Sequence, residues 1–505
     1  MNSLVLALAL IQAPVANGSI RGTVLNAAGE PLEAARVEIV GAPQGPLVTR
    51  TDGSGLFLFL NIPSGRYRVT AKKEAYVRQE YGQIRPNAPG RVVVVGDGVP
   101  VQDIVFRLQP ASTIAGLVRN EGNIPIANIL VQAFRRTYGV RGNRTFSLFS
   151  NALTDDRGAY RLYWVDPGEY YLNAAYMPQL PTPVNANADA PRVPYAPTYY
   201  PGFNDLLQAR PVRVESDKVF GGIDFRLEPA AALRVTGTVI SVLTKAPAPA
   251  NVTLLSPQES GGTVRYAIQT DEKGVFEMKS VSAGTYVLSA QTLSGDGQIG
   301  FTTTVVPPVD PRRGVPVIRG DVVVGPGITI NARLFVQSPT AFDLNQTTIS
   351  LIPLETWLPV PKPSVMQSNG VGLLENVQPG EYYVSVSGLP GDAYVARAGS
   401  NARDVLEGFL QVGYETQPIV DILLAFDGGQ ISGSVVDAGG KPAIGASVVL
   451  VPDTMRRHRP DLYRVVTSDN NGAFSIRGIP PGRYKVFAWE FVEPYAYANP
   501  EFMLD

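Results

Sequence analysis

One short block of sequence recurs five times and constrains most strongly what this chain can fold into. The block ends in Gly-x-Tyr, and its five tyrosines are Tyr67, Tyr170, Tyr286, Tyr382 and Tyr484. They are spaced at intervals of roughly 100 residues, which is the size of a small domain. A spacing shared by distant segments implies one folded unit that is repeated. The sequence therefore predicts a tandem array over its 505 residues.

Each block opens with residues typical of a tight turn. A glycine precedes every tyrosine at a fixed offset, and in four copies an aspartate, itself preceded by threonine or serine, precedes that glycine. These residues are Asp52 and Gly55, Asp155 and Gly158, Asp271 and Gly274, Gly370 with Gln367 in place of the aspartate, and Asp469 and Gly472. The carboxylate is predicted to bond backbone amides while the glycine takes a left-handed conformation. Each tyrosine is predicted to plug the end of a core, with its hydroxyl bonded back to the turn.

Strand signals fill the rest of each block. Leucine alternates with phenylalanine in residues 56–60, and apolar residues alternate with charged ones in residues 276–279, a period of two that fits strands with one buried face. The 50 glycines and 43 prolines disfavour long helices. Each repeat unit contains about seven short strand signals separated by turns, and this pattern predicts an antiparallel β-sandwich. The units predicted are repeat 1 (17–108), repeat 2 (109–228, with an insertion), repeat 3 (229–324), repeat 4 (325–426, divergent) and repeat 5 (427–505, lacking its last strand).

The repeated motifs resemble the carboxypeptidase regulatory-like domain family, which has a transthyretin-like (prealbumin-like) β-sandwich. Residues 29–37 and 440–448 carry the family's upstream turn and strand, and the Asp-Gly and Gly-x-Tyr elements carry the rest. Repeats 1 and 5 match nearly throughout, repeats 2 and 3 from the aspartate onward, and repeat 4 only at its glycine and tyrosine. The resemblance implies an all-β chain of five tandem transthyretin-like sandwiches. It also implies a non-catalytic array on an exported protein, related in shape to carbohydrate-binding and adhesin stalk modules.

Composition argues against most catalytic chemistry. The chain has no cysteine and one histidine, His458, so thiolate nucleophiles, histidine triads and typical zinc sites are not expected. With 43 basic and 44 acidic residues it lacks the positive field that attracts nucleic acid. The oxygen-rich turns at 154–158 and 468–472 could suggest calcium, but no bidentate carboxylate follows, and structural hairpins are favoured. We predict no enzyme activity, cofactor or metal site.

The amino terminus indicates export. Residues 4–11 form an apolar run of the length of a signal-peptide core, and small residues follow at 13–16. We predict a signal peptide at 1–16 and a secreted, periplasmic or cell-surface protein. The alternative is a frayed first strand, because no basic residue precedes the run. No later segment is apolar for long enough to span a membrane as a helix.

Clustered aromatic residues are the candidate ligand contacts, because sugars stack on exposed rings. The candidate carbohydrate-binding residues are Tyr195, Tyr199, Tyr200 and Phe203 in repeat 2, and Trp489, Tyr495 and Tyr497 in repeat 5. The favoured interpretation is that these rings cap sandwich ends or fill junctions. The cationic residues 456–459 are similarly open to two interpretations, a solvated loop or a contact for an anionic polymer.

Repeat 5 is predicted to lack the closing strand that ends the other repeats. A sandwich without this strand exposes backbone groups that can pair with another chain. The sequence thus predicts either a fragment or a partner strand that completes repeat 5. The function favoured is a non-catalytic exported scaffold or binding protein whose partner is a polysaccharide or a cell-surface protein. The alternatives are a carbohydrate-binding protein, and an accessory region of a larger outer-membrane or peptidase system.

Overall fold

The computed structural model describes residues 17–41, 45–83, 90–176, 195–229, 233–257, 263–307, 317–336, 343–415 and 418–504. It confirms the predicted all-β class. Helix in the described residues is limited to α1 (Val405–Gly408) and single 3₁₀ turns. The predicted signal peptide at 1–16 lies outside the described residues. Among the described residues, no helix is long and apolar enough to cross a membrane.

The strands follow the sequence repeats in order. Repeat 1 holds β1 (Gly18–Asn26), β2 (Arg36–Val40), β3 (Leu47–Arg50), β4 (Leu56–Ile62), β5 (Gly65–Lys72), β6 (Gln79–Glu80), β7 (Val93–Val95) and β8 (Pro100–Leu108). Repeat 2 holds β9 (Ser112–Asn120), β10 (Ile129–Tyr138), β11 (Arg144–Leu153), β12 (Ala159–Val165), β13 (Gly168–Tyr176), β14 (Thr198–Tyr199), β15 (Val212–Val214), β16 (Val219–Phe220) and β17 (Phe225–Leu227). Repeat 3 holds β18 (Leu233–Ser241), β19 (Ala250–Ser256), β20 (Thr263–Gln269), β21 (Val275–Val281), β22 (Gly284–Thr292), β23 (Ile299–Val306), β24 (Val317–Arg319) and β25 (Val322–Val324).

The last two repeats hold the remaining strands. Repeat 4 contains β26 (Ile328–Val336), β27 (Thr348–Pro353), β28 (Ser364–Val365), β29 (Val371–Val377), β30 (Gly380–Ser387), β31 (Tyr394–Ser400), β32 (Arg403–Asp404), β33 (Leu410–Val412) and β34 (Ile419–Ala425). Repeat 5 contains β35 (Gly429–Ser434), β36 (Ser447–Pro452), β37 (Arg464–Thr467), β38 (Ala473–Ile479) and β39 (Tyr484–Trp489).

Every repeat builds two sheets on the same plan. In one sheet the opening strand pairs antiparallel with the strand that follows the Asp-Gly turn, as β1 pairs with β4 and β18 with β21. In the other sheet, the strand that carries the Gly-x-Tyr tyrosine pairs with the second strand of its repeat. Thus β5 pairs with β2, and β39, which begins at Tyr484, pairs with β36. Side chains alternate between buried and exposed along β1, which is the pattern of a strand with one face on a core.

One pairing in each of repeats 1 to 4 is parallel. The opening strand receives the closing strand on its second edge: β8 on β1, β16 and β17 on β9, β24 and β25 on β18, and β34 on β26. The sequence predicted antiparallel sandwiches and did not predict this parallel pairing. A long connection brings the closing strand back in the direction of the opening strand, and local turn signals carry no information about that return.

The buried residues of three apolar clusters each lie within a single repeat. One buries Ile20, Phe57, Tyr67 and Phe106 of repeat 1, a second lies between residues 233 and 324 of repeat 3, and a third between 330 and 424 of repeat 4. The chain divides into two compact units. One comprises the described residues of Met1–Ile114 with Tyr163–Gly168 and Arg213–Phe220, and the other comprises those of Ala115–Leu162, Glu169–Val212 and Gly221–Asp505. The five domain boundaries stay a prediction.

Candidate functional site

The repeated aspartates form local turns. Asp52 Oδ1 accepts the backbone amides of Ser54 and Leu56, each at 2.9 Å. Asp155, Asp271 and Asp469 make the same pair of bonds in their own repeats. The hydroxyl of Ser54 also bonds Asp52, and these bonds lower the pKa of that carboxyl below its usual value. In repeat 4, Asn369 takes over part of this role, with its Oδ1 accepting the Val371 amide at 3.0 Å.

The glycines of these turns adopt the left-handed conformation. Gly55, Gly158, Gly274, Gly370 and Gly472 have φ values between 69° and 76°. A Cβ at Gly55 would also lie 2.6 Å from the carbonyl oxygen of Val24, so the turn needs glycine for space as well as for conformation.

The hydroxyl residue before each aspartate ties the turn to the neighbouring strand. Thr154 Oγ1 donates to the carbonyl oxygen of Ile126 at 2.7 Å and accepts the amide of Ile129 at 2.9 Å. Thr51 and Ser468 make the same two bonds, and Thr270 accepts the equivalent amide from Ala250. Sequence reasoning noted that a threonine or serine precedes each aspartate but did not assign it this role.

The tyrosines close the cores from one end. Tyr67, Tyr286, Tyr382 and Tyr484 each donate the hydroxyl to the backbone carbonyl four residues earlier, at 2.7 to 3.2 Å. The hydroxyl of Tyr170 accepts a hydrogen bond from Arg135 at 2.5 Å, and this guanidinium lies 4.2 Å from the centre of the Phe149 ring. Burial raises the pKa of Tyr382, so the phenol stays protonated and can donate. Turn and corner residues therefore bond within their own repeats.

The repeat 2 aromatic residues lie mainly against protein. The Tyr199 ring is buried in a cluster with Phe134, Phe146 and Leu206. Tyr200 packs edge-on against Phe225 at 6.3 Å between ring centres, and Tyr195 forms an isolated bridge with Pro229. Phe203 is the most exposed of the candidate rings in this group, at 36%.

The repeat 5 aromatic residues pack with the segment that follows β39. Trp489 stacks on Phe487 at 5.5 Å and lies 6.0 Å from Phe502. Tyr497 is buried and lies 5.5 Å from the ring centre of Tyr463. Tyr495 is half-buried beside it, at 6.3 Å.

This segment also contacts the β10–β11 hairpin of repeat 2. Asn499 Nδ2 donates to the carbonyl oxygen of Gly142 at 2.8 Å, and Arg144 pairs with Glu501 at 2.6 Å. The Tyr138 ring meets the Phe502 ring edge-on at 6.3 Å. These contacts are those of a junction, which is the interpretation that the sequence favoured.

A cavity of about 580 Å³ lies beside this cluster. Its walls include Tyr383, Tyr463, Tyr495 and Tyr497 together with Arg464 and Arg477. Burial raises the pKa of Tyr463 to about 12, so its phenol stays neutral at physiological pH. Arg464 donates to the carbonyl oxygens of Tyr463 and Gly478, and Arg477 pairs with Asp392, which leaves both guanidinium groups with partners in the protein.

The cationic loop of repeat 5 meets an acidic residue of repeat 4. His458 Nε2 lies 2.6 Å from Glu407 Oε2, and Arg459 pairs with Glu407 at 2.9 Å and with Asp461 at 2.7 Å. Partial burial raises the pKa of Glu407, but the bonds from His458 and Arg459 outweigh this effect and lower it overall. Within the described residues, no cluster of three or more histidine or carboxylate side chains could hold a metal ion.

The opening strand of repeat 5 has one free edge. β35 pairs with β38, and the described residues provide no strand on the side where β1, β9, β18 and β26 receive a closing strand. Consequently Ile431 and Val435 are only partly buried, whereas the equivalent Ile20 and Val24 are fully buried. Among the described residues, β35 therefore pairs only with β38.

The comparison against protein families confirms the family resemblance of the repeated motifs. The family model of the carboxypeptidase regulatory-like domain matches residues 19–102 and 430–491. Repeats 1 and 5 thus carry regulatory-like domain sequences. The match in repeat 5 includes β36 to β39 and nearly all of β35, so the strand with the free edge belongs to the matched region.

Solved structures with partial likeness include two bacterial pilins and a Bacillus anthracis protein. The TIE protein of Bacillus anthracis aligns with 11% identity over 77% of this chain and 68% of its own, at a TM-score of 0.17. GBS52, the minor pilin of Streptococcus agalactiae, aligns with 14% identity over 42% and 96%, at 0.25. BcpA, the major pilin subunit of Bacillus cereus, aligns with 10% identity over 61% and 99%, at 0.14. TM-scores this low do not determine what this chain does. No curated protein matched the sequence.

Proposed function

We propose that this chain is a non-catalytic, exported, multi-domain scaffold or binding protein. The observation that carries the proposal is that the recurring aspartate, glycine and tyrosine residues bond within their own turns and corners and so shape the repeats. The regulatory-like match to repeats 1 and 5 supports a structural rather than a catalytic role.

Cross-linking mass spectrometry on intact cells that produce the tagged chain tests this proposal. Surface proteins cross-linked to more than one repeat are expected for a scaffold. The same tag on an unrelated exported protein is the control. Cross-links no different from those of the control would refute a scaffold role.

Carbohydrate binding is a second candidate, and the cavity lined by Tyr495 and Tyr497 favours it. Its volume of about 580 Å³ falls within the range of small-molecule sites, and tyrosine rings with nearby arginines suit an acidic sugar. A glycan array probed with the full chain tests this candidate. Binding that Tyr495→Ala removes and Tyr195→Ala retains would support the cavity. An accessory role in a larger outer-membrane or peptidase system is a further proposal. Like the other two, it assumes that the chain is exported.

A further inference from the structure

We propose that the outer edge of β4 in repeat 1 binds the same strand of a second copy of this chain, in an antiparallel pair related by a two-fold axis. β4 is the outer strand of the sheet β4–β1–β8, and among the described residues no strand pairs with its second edge. β12, β21 and β29 occupy the same outer place in repeats whose closing strands are present. The open edge therefore belongs to the plan of the repeat. Self-association at this edge goes beyond the proposed function and does not depend on it.

The backbone of β4 directs its hydrogen-bonding groups alternately toward β1 and away from it. The Val24 amide of β1 donates to the carbonyl oxygen of Gly55, at the start of β4, at 2.8 Å. Bonded pairs in an antiparallel ladder recur at every second residue, so Phe57 and Phe59 also direct their amides and carbonyls toward β1. The amides and carbonyls of the leucines that alternate with them point to the open edge.

Leu56 agrees with this alternation, because its outward groups already bond the neighbouring turn. Its amide donates to Asp52 Oδ1 at 2.9 Å, and its carbonyl oxygen accepts the Asp52 amide at 3.0 Å. Within the described residues, no turn holds the outward groups of Leu58 and Leu60 in this way. Their amides and carbonyls are therefore the groups with which a further strand can pair.

Leu58 and Leu60 also expose apolar side chains on the outer face of β4. Leu58 is 49% exposed, and Leu60 is 64% exposed. At the two matching positions, each of the other repeats carries at least one charged residue: Arg161 in β12, Glu277 and Lys279 in β21, Glu375 in β29, and Arg477 in β38. Charged side chains oppose the pairing of an exposed strand edge with another chain. β4 lacks this protection, so its edge is the one suited to pairing.

The open backbone groups fix the register of the pair. With the two-fold axis at Phe59, Leu58 faces Leu60 of the second copy, and Leu60 faces its Leu58. Both are bonded pairs in this register, so every outward amide and carbonyl of the two leucines gains a partner. An axis at Leu58 would instead set Leu60 against Leu56, whose groups the Asp52 turn already holds. A second copy is therefore the occupant that satisfies this edge.

The side chains support the same register. Facing residues of an antiparallel pair project from the same face of the sheet, so Leu58 and Leu60 of both copies form one cluster of four leucines. Burial of these side chains removes apolar surface from water and favours association. β4 contains no charged residue, so pairing its edge leaves no buried charge on the strand without a partner.

Sedimentation velocity of the full chain across a range of concentrations tests the surface. The wild type should sediment as a dimer at high concentration. Leu58→Lys should weaken the dimer at least about tenfold, because it sets an ammonium group against a leucine of the second copy. Leu373→Lys is the matched control and should leave association unchanged, since Leu373 has the equivalent position on β29 and is 45% exposed. Both variants should retain the melting temperature of the wild type, because both leucines are exposed.

Paired charges test the register. Leu58→Lys combined with Leu60→Lys should weaken the dimer more than Leu58→Lys alone, since like charges then face each other. Leu58→Lys combined with Leu60→Glu should recover association, because each introduced lysine faces an introduced glutamate. If the axis lay at Leu58, two lysines would face each other and the second combination would not recover.

Disulfide trapping tests the same contact without charge, because the chain has no native cysteine. Under mild oxidation, Leu58→Cys and Leu60→Cys should each cross-link poorly on their own. An equal mixture of the two variants should give a cross-linked dimer, since residue 58 of one copy faces residue 60 of the other within disulfide distance.

A full chain that remains monomeric at every concentration would overturn the inference and leave the proposed scaffold role intact. A dimer that Leu58→Lys and Leu373→Lys weaken equally would show that another surface associates, which also overturns it. A dimer that Leu58→Cys traps on its own would show that the axis lies at Leu58, and this would overturn the assigned register.

Discussion

Thr154 shows how a single hydroxyl holds a turn in place. It is buried, and it bonds the carbonyl oxygen of Ile126 and the amide of Ile129, in addition to the backbone bond from the Thr154 amide to the Ile129 carbonyl oxygen. Thr154→Val would keep the shape of the side chain but leave both backbone groups without this partner. We expect a loss of about 1–3 kcal/mol in the free energy of unfolding, measured by urea denaturation. Thr137→Val, in the same repeat but bonded only to other strand residues of the hairpin, serves as the control, and an equal loss would contradict this role.

Tyr382 tests the corner hydrogen bond separately from the packing of the ring. Its side chain is fully buried, and its hydroxyl donates to the carbonyl oxygen of Gln378 at 2.8 Å. Tyr382→Phe retains the ring and should destabilise the chain by about 0.5–1.5 kcal/mol, the usual net value of a hydrogen bond. Thermal denaturation measures the change. A variant as stable as the wild type would show that the ring alone closes the core.

Asp52 gives the turns a defined response to acid. Its side-chain bond from Ser54 and its backbone bonds lower the carboxyl pKa below the ordinary value of 3.8. The carboxylate therefore adds stability above the unfolded-state pKa, and this stability is lost as the pH falls through the lower folded-state pKa. Asp52→Asn retains an accepting oxygen but not the charge. The difference in melting temperature between wild type and variant should be constant near pH 7 and shrink below about pH 4. A difference independent of pH would contradict this account.

The residue-scale chemistry was largely predictable because it is local. Asp271, Gly274 and Tyr286 lie within one short block, and the bonds that they make reach only a few residues away. The aromatic candidates were harder to interpret. The sequence left Tyr199 and Trp489 open to two interpretations, exposed ligand contacts or packing at sandwich ends and junctions; Tyr199 is buried and Trp489 stacks on Phe487. Their neighbours come from distant segments, and an aromatic residue in a proline-rich stretch has the same appearance whether it faces solvent or a core.

At the scale of strands, close approach at the glycine of the opening strand should decide stability. In repeat 1 a Cβ at Gly22 would meet the Ile104 carbonyl oxygen at 2.0 Å and the Phe57 ring at 2.7 Å. Gly22→Ala should therefore cost about 1–3 kcal/mol through overpacking. Gly433→Ala at the matching position of β35 should change stability by much less. Differential scanning calorimetry of the two variants makes the comparison, and equal losses would indicate that a strand already covers Gly433.

The plan of each sandwich was predictable, but the pairing of its opening strand was not. Alternation in β4 and β21 and the turns before them identify these strands without tertiary information. The parallel return of β8 onto β1 depends on a connection that passes from one sheet to the other.

Across the whole molecule, the segment after β39 links repeat 5 to the β10–β11 hairpin. Asn499 and Gly142 are 357 residues apart in sequence, so no local pattern could predict this contact. A Cβ at Gly142 would lie 2.4 Å from the carbonyl carbon of Ala498. Gly142→Ala should therefore loosen the segment and raise hydrogen exchange in residues 496–503.

A second glycine separates this contact from backbone strain. Gly440 has a φ of +76°, close to the +74° of Gly142, but a Cβ there would meet nothing within 4 Å. Both variants carry the cost of a left-handed alanine, about 1–2 kcal/mol, and only Gly142→Ala also loses the contact. If Gly440→Ala raised exchange in residues 496–503 as much as Gly142→Ala, the contact would not explain the effect.

Hydrogen exchange on the full chain, followed by mass spectrometry, tests the shared strand plan of the repeats most directly. Fragments covering β1 and β18 should be protected, because strands pair with both of their edges. Rapid exchange in these fragments would contradict the account, because it would mean that the parallel closing strands are not paired.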